Sequence, residues 1–523
     1  MKNWRIGIDV GGTNTDAVVL DDKLNLIASV KCPTTQDVMS GIEHALHQVL
    51  SKERVEKQKI GYAMLGTTQC TNAIVERKKL KKVAVIRLGK PATEAVKPLA
   101  DWPEDLKKSM DVSWYLVEGG HEFDGREINP LNEKQLKEIA LEIKEKAEAV
   151  ALISVFSSVT DVHEKRAEKI LKSILGENFP ISISSEIGSL GLVERENATI
   201  LNAALTDVAR NTAKSFVEAL KRENIDDVEI YLGQNDGTLM SVEYAVKYPI
   251  LTIACGPTNS IRGAAFLTGK RDAIVVDVGG TTTDVGVLVN GFPRESMIAV
   301  EIGKVRTNFR MPDLVSIGLG GGSLVKSYPN GEVEVGPESV GYQVTEEALC
   351  FGGDTLTATD IIVAKGLVDS VGDPQLVASL DPILVEKAYE KIVGMTEECI
   401  DMMKTSRDDV EVILVGGGSI LIPTRLKGCS QVHKPNNFGV ANAIGSAIAQ
   451  VSGQIEKIFA LEEISREEAL LSAKKLAKEE AKKAGADPDS IQIIDAEDIP
   501  LAYLPGNATK IRIKAVGDLV MRK

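Results

Sequence analysis

Two segments of the chain share one pattern: an apolar strand, a turn of glycine and threonine, an aspartate and a second apolar strand. The first reads DVGGTNTDAVVL over residues 9–20, and the second reads DVGGTTTDVGVL over residues 277–288. Nine of the twelve positions are identical, and the second copy begins 268 positions after the first. Apolar runs on either side of a short turn predict a β-hairpin, so we expect the same hairpin twice.

Around these hairpins, short apolar runs alternate with segments that have apolar residues at helical spacing. The predicted strands are residues 60–65, 82–87, 150–156, 228–232, 273–278 and 410–415. The predicted helices are residues 37–56, 132–149 and 161–175, a region from Asn197 onward, and residues 461–484. Paired strands over residues 491–516, joined near Pro505 and Gly506, end the chain. This alternation predicts an α/β fold.

The length of 523 residues exceeds that of a typical single domain and predicts about three structural units. Residues 1–190 form the predicted first unit, with the first hairpin, and residues 191–455 form the second, with the other hairpin. Residues 456–523 form a predicted appendage of a helix and a strand pair. The appendage could serve as a cap or as an element for forming a homo-oligomer.

The glycine pair in each turn suggests phosphate binding. Glycine permits positive φ and lacks a Cβ, so consecutive backbone N–H groups can converge on an anion. Asp9 and Asp277 end their strands where a carboxylate can hold Mg²⁺ through its water shell, and Asp16 and Asp284 can hold the turn or position water. The candidate phosphate-binding residues are Gly11, Gly12, Thr13, Asn14 and Thr15, and Gly279, Gly280, Thr281 and Thr282.

An ordinary hairpin with a Gly-Gly turn is the structural alternative for either copy alone. Two long and nearly identical copies favour a nucleotide site with two lobes instead. Asp9, Asp277 and Asp284 are accordingly the candidate catalytic residues, and Asp9 and Asp277 are the candidate metal ligands.

Three other segments add candidate ligand contacts. Residues 66–79 place Thr67 and Thr68 before a helix, where they could face a ligand from its N-terminus; an N-capped surface helix is the alternative. Residues 255–265, CGPTNSIRGAA, combine Gly-Pro with small residues that suit close approach to a ligand or to another lobe. Glycine clusters at residues 317–323 and 414–419 could expose bare backbone to a base or sugar, and the candidates in the second cluster are Gly416, Gly417 and Gly418.

Composition excludes several classes of protein. Hydrophobic residues make up 43% and charged residues 26%, which is ordinary for a globular protein. A net charge of −14 disfavours nucleic acid as the main partner. No apolar run approaches the roughly 20 residues that span a bilayer, and the N-terminus has no apolar signal region, so we expect a cytoplasmic protein without membrane contact. The six cysteines form no C-x-x-C pair, which argues against a disulfide framework or a metal cluster.

The glycine motifs are not those of the commonest nucleotide folds. The nearest approach to a P-loop, residues 263–270, has one residue too many and is followed by Arg271. No G-x-G-x-x-G follows a predicted strand, so the Rossmann fingerprint is missing. The nucleotide site is expected to be of another type.

The doubled DxGGTxTD motif with a late GGG cluster resembles the superfamily of acetate and sugar kinases, heat-shock chaperone ATPases and actin. That resemblance implies two ribonuclease H-like lobes that form an actin-like ATPase clamp around ATP. Within the superfamily, the chain resembles the A-type subunit of the hydantoinase/oxoprolinase family. The motifs that support this are GTTQCTNAIVERK (66–78), GPTNSIRGA (256–264), DVGGTTTD (277–284), IGLGGGS (317–323), VGPESVG (335–341) and GGDTLTATD (352–360).

The family resemblance implies ATP- and Mg²⁺-dependent opening of a cyclic amide such as hydantoin, 5-oxoproline or a lactam. The γ-phosphate is transferred to the amide oxygen, which makes the ring carbon electrophilic, and hydrolysis follows. Phosphoryl transfer of this kind depends mainly on positioning and charge neutralisation. A separate B-type subunit is implied as the partner that completes hydrolysis. Because Val315 stands where family members often have a histidine, and residues 342–350 replace a Pro-Gly-Pro stretch, the resemblance assigns no metal or substrate role to these two segments.

Two other classes of protein remain open. A small-molecule kinase of the same superfamily would share both hairpins and release a stable phosphorylated product. A nucleotide-switched binding protein would turn over ATP slowly and would not respond to cyclic amides. A dehydratase-activating ATPase is disfavoured because such a protein needs cysteines shared at a dimer interface.

Histidines and arginines supply weaker candidates. His121 lies in a loop of glycines and carboxylates and is the histidine best suited to contact substrate or metal, whereas His163, His433, and His44 with His47 on a helix face are expected to be structural or solvated. An acidic ATP-binding protein also needs local positive charge. The candidate cations are Arg77, Arg87, Arg262 and Arg294.

Overall fold

A computed structural model gives the structure of residues 2–34, 38–188, 190–296, 300–309, 311–368, 370–462, 464–502 and 506–520. The predicted turn residue Pro505 and the predicted helix start at residue 37 lie outside these ranges. Among the described residues, no helix is both long enough and apolar enough to cross a membrane.

The first hairpin begins a sheet of nine strands. The elements of this segment are β1 (Trp4–Val10), β2 (Asn14–Leu20), β3 (Leu26–Pro33), α1 (Val38–Leu50), β4 (Ile60–Thr67) and α2 (Gln69–Glu76). β1, β2 and β3 pair antiparallel, and β4 pairs parallel to β1. Every residue of β1 and β4 is buried, as expected for central strands covered on both faces.

A four-stranded parallel sheet follows. Its elements are β5 (Val83–Lys90), α3 (Glu104–Ser109), β6 (Ser113–Glu118), α4 (Glu133–Ile143), β7 (Ala149–Ser154), α5 (Val162–Leu175), β8 (Ile181–Ile183) and α6 (Ser184–Ile187). The strand order is β6-β5-β7-β8. Alternate residues of β5 and β7 face opposite sides, so one set packs with α4 and α5.

The chain then returns to the first sheet. The elements of this return are α7 (Leu192–Arg222), β9 (Glu229–Gly233), β10 (Leu239–Ser241), α8 (Val242–Lys247) and α9 (Cys255–Thr268). β9 pairs parallel to β4. The order β3-β2-β1-β4-β9, with three antiparallel strands followed by two parallel ones, is the ribonuclease H-like arrangement.

The second hairpin begins the second lobe. Its elements are β11 (Ala273–Val278), β12 (Thr283–Val289), β13 (Phe292–Pro293), β14 (Val300–Ile302), β15 (Val305–Thr307), β16 (Leu314–Ile317), β17 (Ser323–Ser327), β18 (Val333–Ser339), α10 (Val344–Glu347), α11 (Ala358–Ala364), α12 (Pro382–Met403), β19 (Val410–Val415), β20 (Cys429–His433) and α13 (Ala441–Ile448). The order β13-β12-β11-β19-β20, with β19 and β20 parallel to β11, repeats the arrangement of the first lobe.

The C-terminal segment extends the first sheet. Its elements are β21 (Val451–Ala460), α14 (Arg466–Lys483), β22 (Gln492–Pro500) and β23 (Ala508–Gly517). β21 pairs parallel to β10 and antiparallel to β23, which gives the edge order β22-β23-β21-β10. The predicted helix and strand pair are therefore present, and they continue the first sheet. The division of the chain at residues 190 and 455 stays a prediction.

Two helices connect the sheets. α9 leads from β10 to β11, and α13 leads from β20 back to β21. They pack at backbone distance, because a Cβ on Gly263 would lie 1.8 Å from the carbonyl oxygen of Ala441, and one on Gly445 would lie 1.8 Å from that of Asn259. The predicted close approach of the small-residue segment is thus present. The fold is two ribonuclease H-like lobes in an actin-like ATPase clamp with a C-terminal appendage.

Candidate active site

The first hairpin has a tight turn between β1 and β2. Asp9 and Asp16 are cross-strand neighbours, and the backbone N–H of Gly11 donates to the carbonyl of Asn14 at 2.9 Å. Gly12 is exposed and Thr13 and Asn14 are half-buried, so the tip of the turn is accessible from outside. We call the space between the two lobes the cleft. Thr15 is fully buried, with its hydroxyl 3.3 Å from that of Thr34, and its side chain supports the turn.

The second hairpin repeats this geometry and meets the first. Asp277 pairs with Asp284, and the N–H of Gly279 donates to the carbonyl of Thr282 at 2.8 Å. The hydroxyls of Thr13 and Thr281, which hold the same position in the repeat, lie 3.3 Å apart. Gly280 packs against Thr13, because a Cβ there would lie 2.6 Å from its methyl carbon. The two predicted phosphate turns are therefore in direct contact at their tips, in the cleft between the two lobes.

Asp9 is a buried carboxylate at the end of β1, with 3% of its surface exposed. It accepts hydrogen bonds from the side-chain amide of Asn259 on α9 at 2.9 Å and from that of Asn442 on α13 at 3.1 Å. Gly66 on β4 makes room for it, because a Cβ there would lie 2.2 Å from Oδ1 of Asp9. Burial raises the pKa of Asp9 to about 6, although both amides favour the ionised form.

Asp277 is held by the same helix. Ser260, the residue after Asn259 on α9, donates its hydroxyl to Oδ2 of Asp277. Burial raises the pKa of Asp277, while Ser260 and the charge of Lys31 lower it. Consecutive residues of α9 thus contact the two strand-end aspartates. Sequence reasoning identified the segment of Asn259 and Ser260 but not these residues, and it missed Asn442.

The second aspartates of the hairpins have different partners. Asp16 lies opposite Lys31 on β3, whose Nζ is 2.8 Å from Oδ1. Asp284 lies opposite Ser316 on β16. Burial raises the pKa of Asp284 to about 6, the hydrogen bond with Ser316 lowers it, and the charge of Asp277 raises it. Only the first hairpin therefore has a cation beside its second aspartate among the described residues.

The threonine loop lies against the first hairpin. β1 and β4 run parallel with Val10 beside Thr67, and the hydroxyl of Thr68 donates to the carbonyl of Val10 at 3.3 Å. Thr67 is buried, and its hydroxyl accepts from the N–H of Gln69 at the start of α2. Thr68 is half-buried. Of the two predicted threonines, Thr68 is therefore better placed to contact a ligand.

The late glycine cluster lies against the second hairpin. Gly416 follows β19 at a φ of +83°, and a Cβ there would lie 2.2 Å from Oδ1 of Asp277. Gly417 is exposed, whereas Gly418 is buried with the carbonyl of Gly279 only 2.4 Å from its Cβ position. The cluster thus lies beside the phosphate turn with exposed backbone at Gly417, and its assignment to adenosine stays a prediction.

The other glycine cluster supports the second hairpin from behind. Gly321 and Gly322 donate their N–H groups to the carbonyls of Gly279 and Gly280, at 3.1 and 2.7 Å. A Cβ on Gly320 would lie 2.5 Å from the backbone N of Thr281. These glycines are buried, so they hold the turn and do not offer backbone to a base.

The four candidate arginines have protein partners. Arg87 forms a fully buried ion pair with Glu196 at 2.6 Å. Arg262 donates to the carbonyl of Gly291, while the remaining two pair with carboxylates, Arg77 with Asp105 and Arg294 with Asp313. Their placement does not support the expectation that one of them supplies positive charge to the cleft. Lys31, which sequence reasoning missed, lies there instead.

His121 and His163 lie together in the parallel-sheet unit, with ring centroids 4.2 Å apart and Glu127 nearby. Nδ1 of His163 accepts the N–H of Gly120 at 3.0 Å, so its Nε2 bears the proton and donates to Glu127 at 3.0 Å. A metal ligand needs a free lone pair, and this tautomer does not offer one at Nε2. His163 therefore joins the backbone of Gly120 to Glu127 from a buried position in the first turn of α5. His121 is buried, with Nδ1 unpartnered among the described residues.

Comparison with known proteins identifies relatives over most of the chain. An uncharacterized protein of Methanocaldococcus jannaschii is 28% identical over 429 residues, which is 77% of this chain and 62% of that protein. The acetophenone carboxylase gamma subunit of Aromatoleum aromaticum is 25% identical over 70% of this chain and 53% of its own length. The alpha subunit of the caprolactamase from Pseudomonas jessenii is 25% identical over 87% of this chain and 67% of its own length. The chain thus spans about half to two thirds of these relatives.

The fold and the family agree with these matches. The crystal structure of the ATP-dependent caprolactamase from Pseudomonas jessenii matches with a TM-score of 0.75 and 18% identity, covering 98% of this chain and 87% of that one. The family model for the hydantoinase/oxoprolinase N-terminal region matches residues 5–175, and the family model for hydantoinase/oxoprolinase matches residues 195–372. Together they cover about two thirds of the chain. The chain belongs to the hydantoinase/oxoprolinase family.

Proposed function

We propose that this chain is an ATP-using subunit that phosphorylates a cyclic amide, of hydantoin, 5-oxoproline or lactam type, so that its ring can be opened. The observation that supports this most directly is the meeting of the two phosphate turns, with Thr13 and Thr281 only 3.3 Å apart. Ring opening is the activity of an ATP-dependent relative, the caprolactamase. The supporting evidence is therefore the site geometry together with the family.

The residues present suit Mg²⁺. Asp9 and Asp277 offer carboxylate oxygens at corresponding strand ends, and oxygen ligands with retained waters are what Mg²⁺ prefers. When bound, Mg²⁺ would neutralise phosphate charge. Asn259 and Ser260 keep the two carboxylates in fixed positions by hydrogen bonds. Both aspartates are thus assigned as the metal-holding residues.

The remaining site residues divide by chemistry. The backbone N–H groups of Gly12, Thr13, Gly280 and Thr281, at the hairpin tips, are assigned to the β- and γ-phosphates, and Gly416, Gly417 and Gly418 to the adenosine. Asp284 is assigned to positioning the acceptor or a water molecule. In the reaction, the amide oxygen accepts the γ-phosphoryl group as ADP leaves, water then attacks the ring carbon, the C–N bond breaks and phosphate is released. A B-type subunit is the proposed site of hydrolysis, in the cytoplasm.

The test is ATP hydrolysis by the purified chain against a panel of hydantoin, 5-oxoproline and lactams of increasing ring size, with and without candidate B-type subunits of the same family. We expect one cyclic amide to stimulate release of ADP and phosphate and to yield the ring-opened acid. A stable phosphorylated product without ring opening would instead identify a small-molecule kinase. Slow turnover that no amide stimulates would identify a nucleotide-switched binding protein.

Carboxylation is a second candidate, because the chain is also similar to the acetophenone carboxylase gamma subunit. The same assay with bicarbonate and aromatic or aliphatic ketones separates the two. Carboxylated product that depends on ATP, with no opening of any cyclic amide, would replace the first proposal by this one.

A further inference from the structure

Lys31 forms an ion pair with the buried carboxylate of Asp16, and its own side chain remains partly exposed. Its Nζ lies 2.8 and 2.9 Å from the two carboxylate oxygens of Asp16, directly across from it on β2. The side chain of Asp16 is 1% exposed, whereas that of Lys31 is 34% exposed. An ammonium group has three N–H donors. The ion pair with Asp16 therefore leaves donor capacity on a side chain that is partly exposed.

The second lobe borders the other side of Lys31. A Cβ on Gly417 or on Gly439 would lie 3.9 Å from Cε of Lys31, so the lysine passes close to bare backbone of the adenosine segment and of the turn before α13. The charge of Lys31 also lowers the pKa of Asp277, which belongs to β11 of the second lobe. The lysine thus lies between the base of one phosphate hairpin and the glycine cluster beside the other.

The two hairpins carry an excess of negative charge, which a cation at the position of Lys31 would partly neutralise. Four carboxylates line the two hairpins, namely those of Asp9, Asp16, Asp277 and Asp284. A nucleotide polyphosphate adds further negative charge. Within the described part of the chain, Lys31 is the one basic side chain that pairs with any of these four aspartates.

We propose that Lys31 binds the phosphate chain of the nucleotide while it keeps its ion pair with Asp16. The inference rests on the proposed use of ATP. Lys31 belongs to the first lobe, and Gly417 and Gly439 to the second, so the phosphate contact requires both lobes to be close together. Asp16 positions the ammonium group where the two lobes meet.

A purely structural role makes a different prediction. If Lys31 only neutralises Asp16, then Lys31→Met harms the protein by leaving a buried carboxylate unpaired. The double variant Lys31→Met/Asp16→Asn removes that unpaired charge. If the role is structural, the double variant should therefore regain both the stability and the ATP affinity of the wild type. Under our proposal it should still bind ATP more weakly, because the phosphate contact is missing.

The experiment measures binding of Mg·ATP, ADP and adenosine by calorimetry, with thermal unfolding recorded in parallel. The matched control is Lys57→Met, because Lys57 is a lysine of similar exposure, 38%, that pairs with Glu223 at 2.8 Å away from the cleft. We expect Lys31→Met and the double variant to bind ATP about 10- to 100-fold more weakly, the loss of a charge-assisted hydrogen bond. Adenosine affinity should not change, and Lys57→Met should bind all three as the wild type does.

Wild-type ATP affinity in the double variant would overturn the inference and leave the proposed function intact. An equal loss for adenosine and ATP would also overturn it, because a phosphate contact cannot affect a nucleoside without phosphate. A wild-type chain that binds no ATP would overturn the proposed function itself, and this inference with it. The double variant keeps the test decisive even if Lys31→Met does not fold.

Discussion

The two phosphate hairpins are close copies in sequence, but their surroundings are different. In both, the second aspartate lies opposite one residue of a third strand at the same register position. That residue is Lys31 in the first lobe and Ser316 in the second. The first strand-end aspartate, Asp9, accepts from two asparagines, whereas Asp277 accepts from one serine. The two hairpins therefore have the same backbone arrangement, while residues of neighbouring elements give their aspartates different hydrogen-bond and ion-pair partners.

This difference indicates a division of labour. Backbone N–H groups on two similar turns suit the repeated units of a phosphate chain, so the turns themselves can stay alike. Under the proposed function the carboxylates act on different groups, Asp9 and Asp277 on Mg²⁺ and Asp284 on the acceptor or a water molecule. The following predictions test whether the two copies have separate roles.

Removal of either strand-end charge should have the largest effect. Asp277→Asn and Asp9→Asn should each lower kcat for ATP hydrolysis by about 100- to 1000-fold, because preorganised groups at a transferring phosphoryl have effects of that size. The measurement is ADP release at saturating Mg·ATP, with Asp22→Asn on the exposed turn after β2 as the control. Wild-type turnover in Asp277→Asn would show that the second hairpin has no catalytic role.

Acidic pH should affect activity and stability in opposite directions. The pKa values of Asp9 and Asp284 are raised to about 6 from an ordinary value of 3.8. The folded state therefore binds protons more tightly between about pH 4 and 6, and these groups make the free energy of unfolding fall as pH rises through that window. ATP hydrolysis needs both ionised forms, so kcat/KM should fall steeply below pH 6 and approach a loss of about a hundredfold per pH unit, tenfold for each group. A flat profile down to pH 5 would contradict both assignments.

The contact between α9 and α13 should respond strongly to one methyl group. In Gly263→Ala the added Cβ would meet the carbonyl oxygen of Ala441, and overpacking of this kind costs about 1–3 kcal/mol of the free energy of unfolding. The control is Gly394→Ala on α12, where nothing lies within 4 Å and alanine is the better helix former. Urea denaturation of both variants should rank Gly263→Ala below and Gly394→Ala at or above the wild type.

Ser316→Lys should make the second hairpin resemble the first. A cation beside Asp284 favours the ionised carboxylate, and an opposite charge at 4–6 Å lowers such a pKa by about 1 to 3 units. The fall of kcat/KM at acidic pH that is due to Asp284 should therefore occur at lower pH than in the wild type. The measurement is kcat/KM for ATP hydrolysis as a function of pH in both proteins. The same shift in Val315→Lys, on the neighbouring position of β16, would show that general charge and not register is responsible.

The contact between the hairpin tips should have the smallest effect. Thr13→Val and Thr281→Val remove one hydroxyl each from a 3.3 Å contact, and a net hydrogen bond contributes about 0.5–1.5 kcal/mol. A double-mutant cycle on ATP affinity measures whether the two tips act together. Additive losses would indicate that each threonine contacts the ligand separately.

Local patterns predicted much of the fold. The hairpins, the strand runs and the long helices follow from the spacing of apolar residues, and the strands predicted at residues 60–65 and 410–415 lie within β4 and at β19. The pairing of β21 with β10 joins residues far apart in the chain, and no local pattern indicates it. For this reason the sequence predicts the helix and the strand pair of the appendage but not that its strands extend the first sheet.

The site was predicted only where its residues lie within the repeated motif. Asp9, Asp277 and the glycine turns were found because the motif is written twice. Lys31 was missed because its relation to Asp16 depends on the β2–β3 register, and Asn442 because it reaches Asp9 from 433 positions away. The arginines were predicted as candidate cations because their partners are also distant in the sequence. Glu196, which pairs with Arg87, is 109 positions away.

Asp9 accepts one hydrogen bond from each of the two helices that connect the lobes, Asn259 of α9 and Asn442 of α13. Any rotation of one helix against the other that lengthens either bond makes the ionised carboxylate less favourable and raises its affinity for a proton. By linkage the reverse also holds: protonation of Asp9 weakens its preference for the arrangement that keeps both amides in place. The angle between the lobes and the protonation of Asp9 are therefore thermodynamically coupled, so that a change in pH shifts the preferred angle and a change in the angle shifts the pKa.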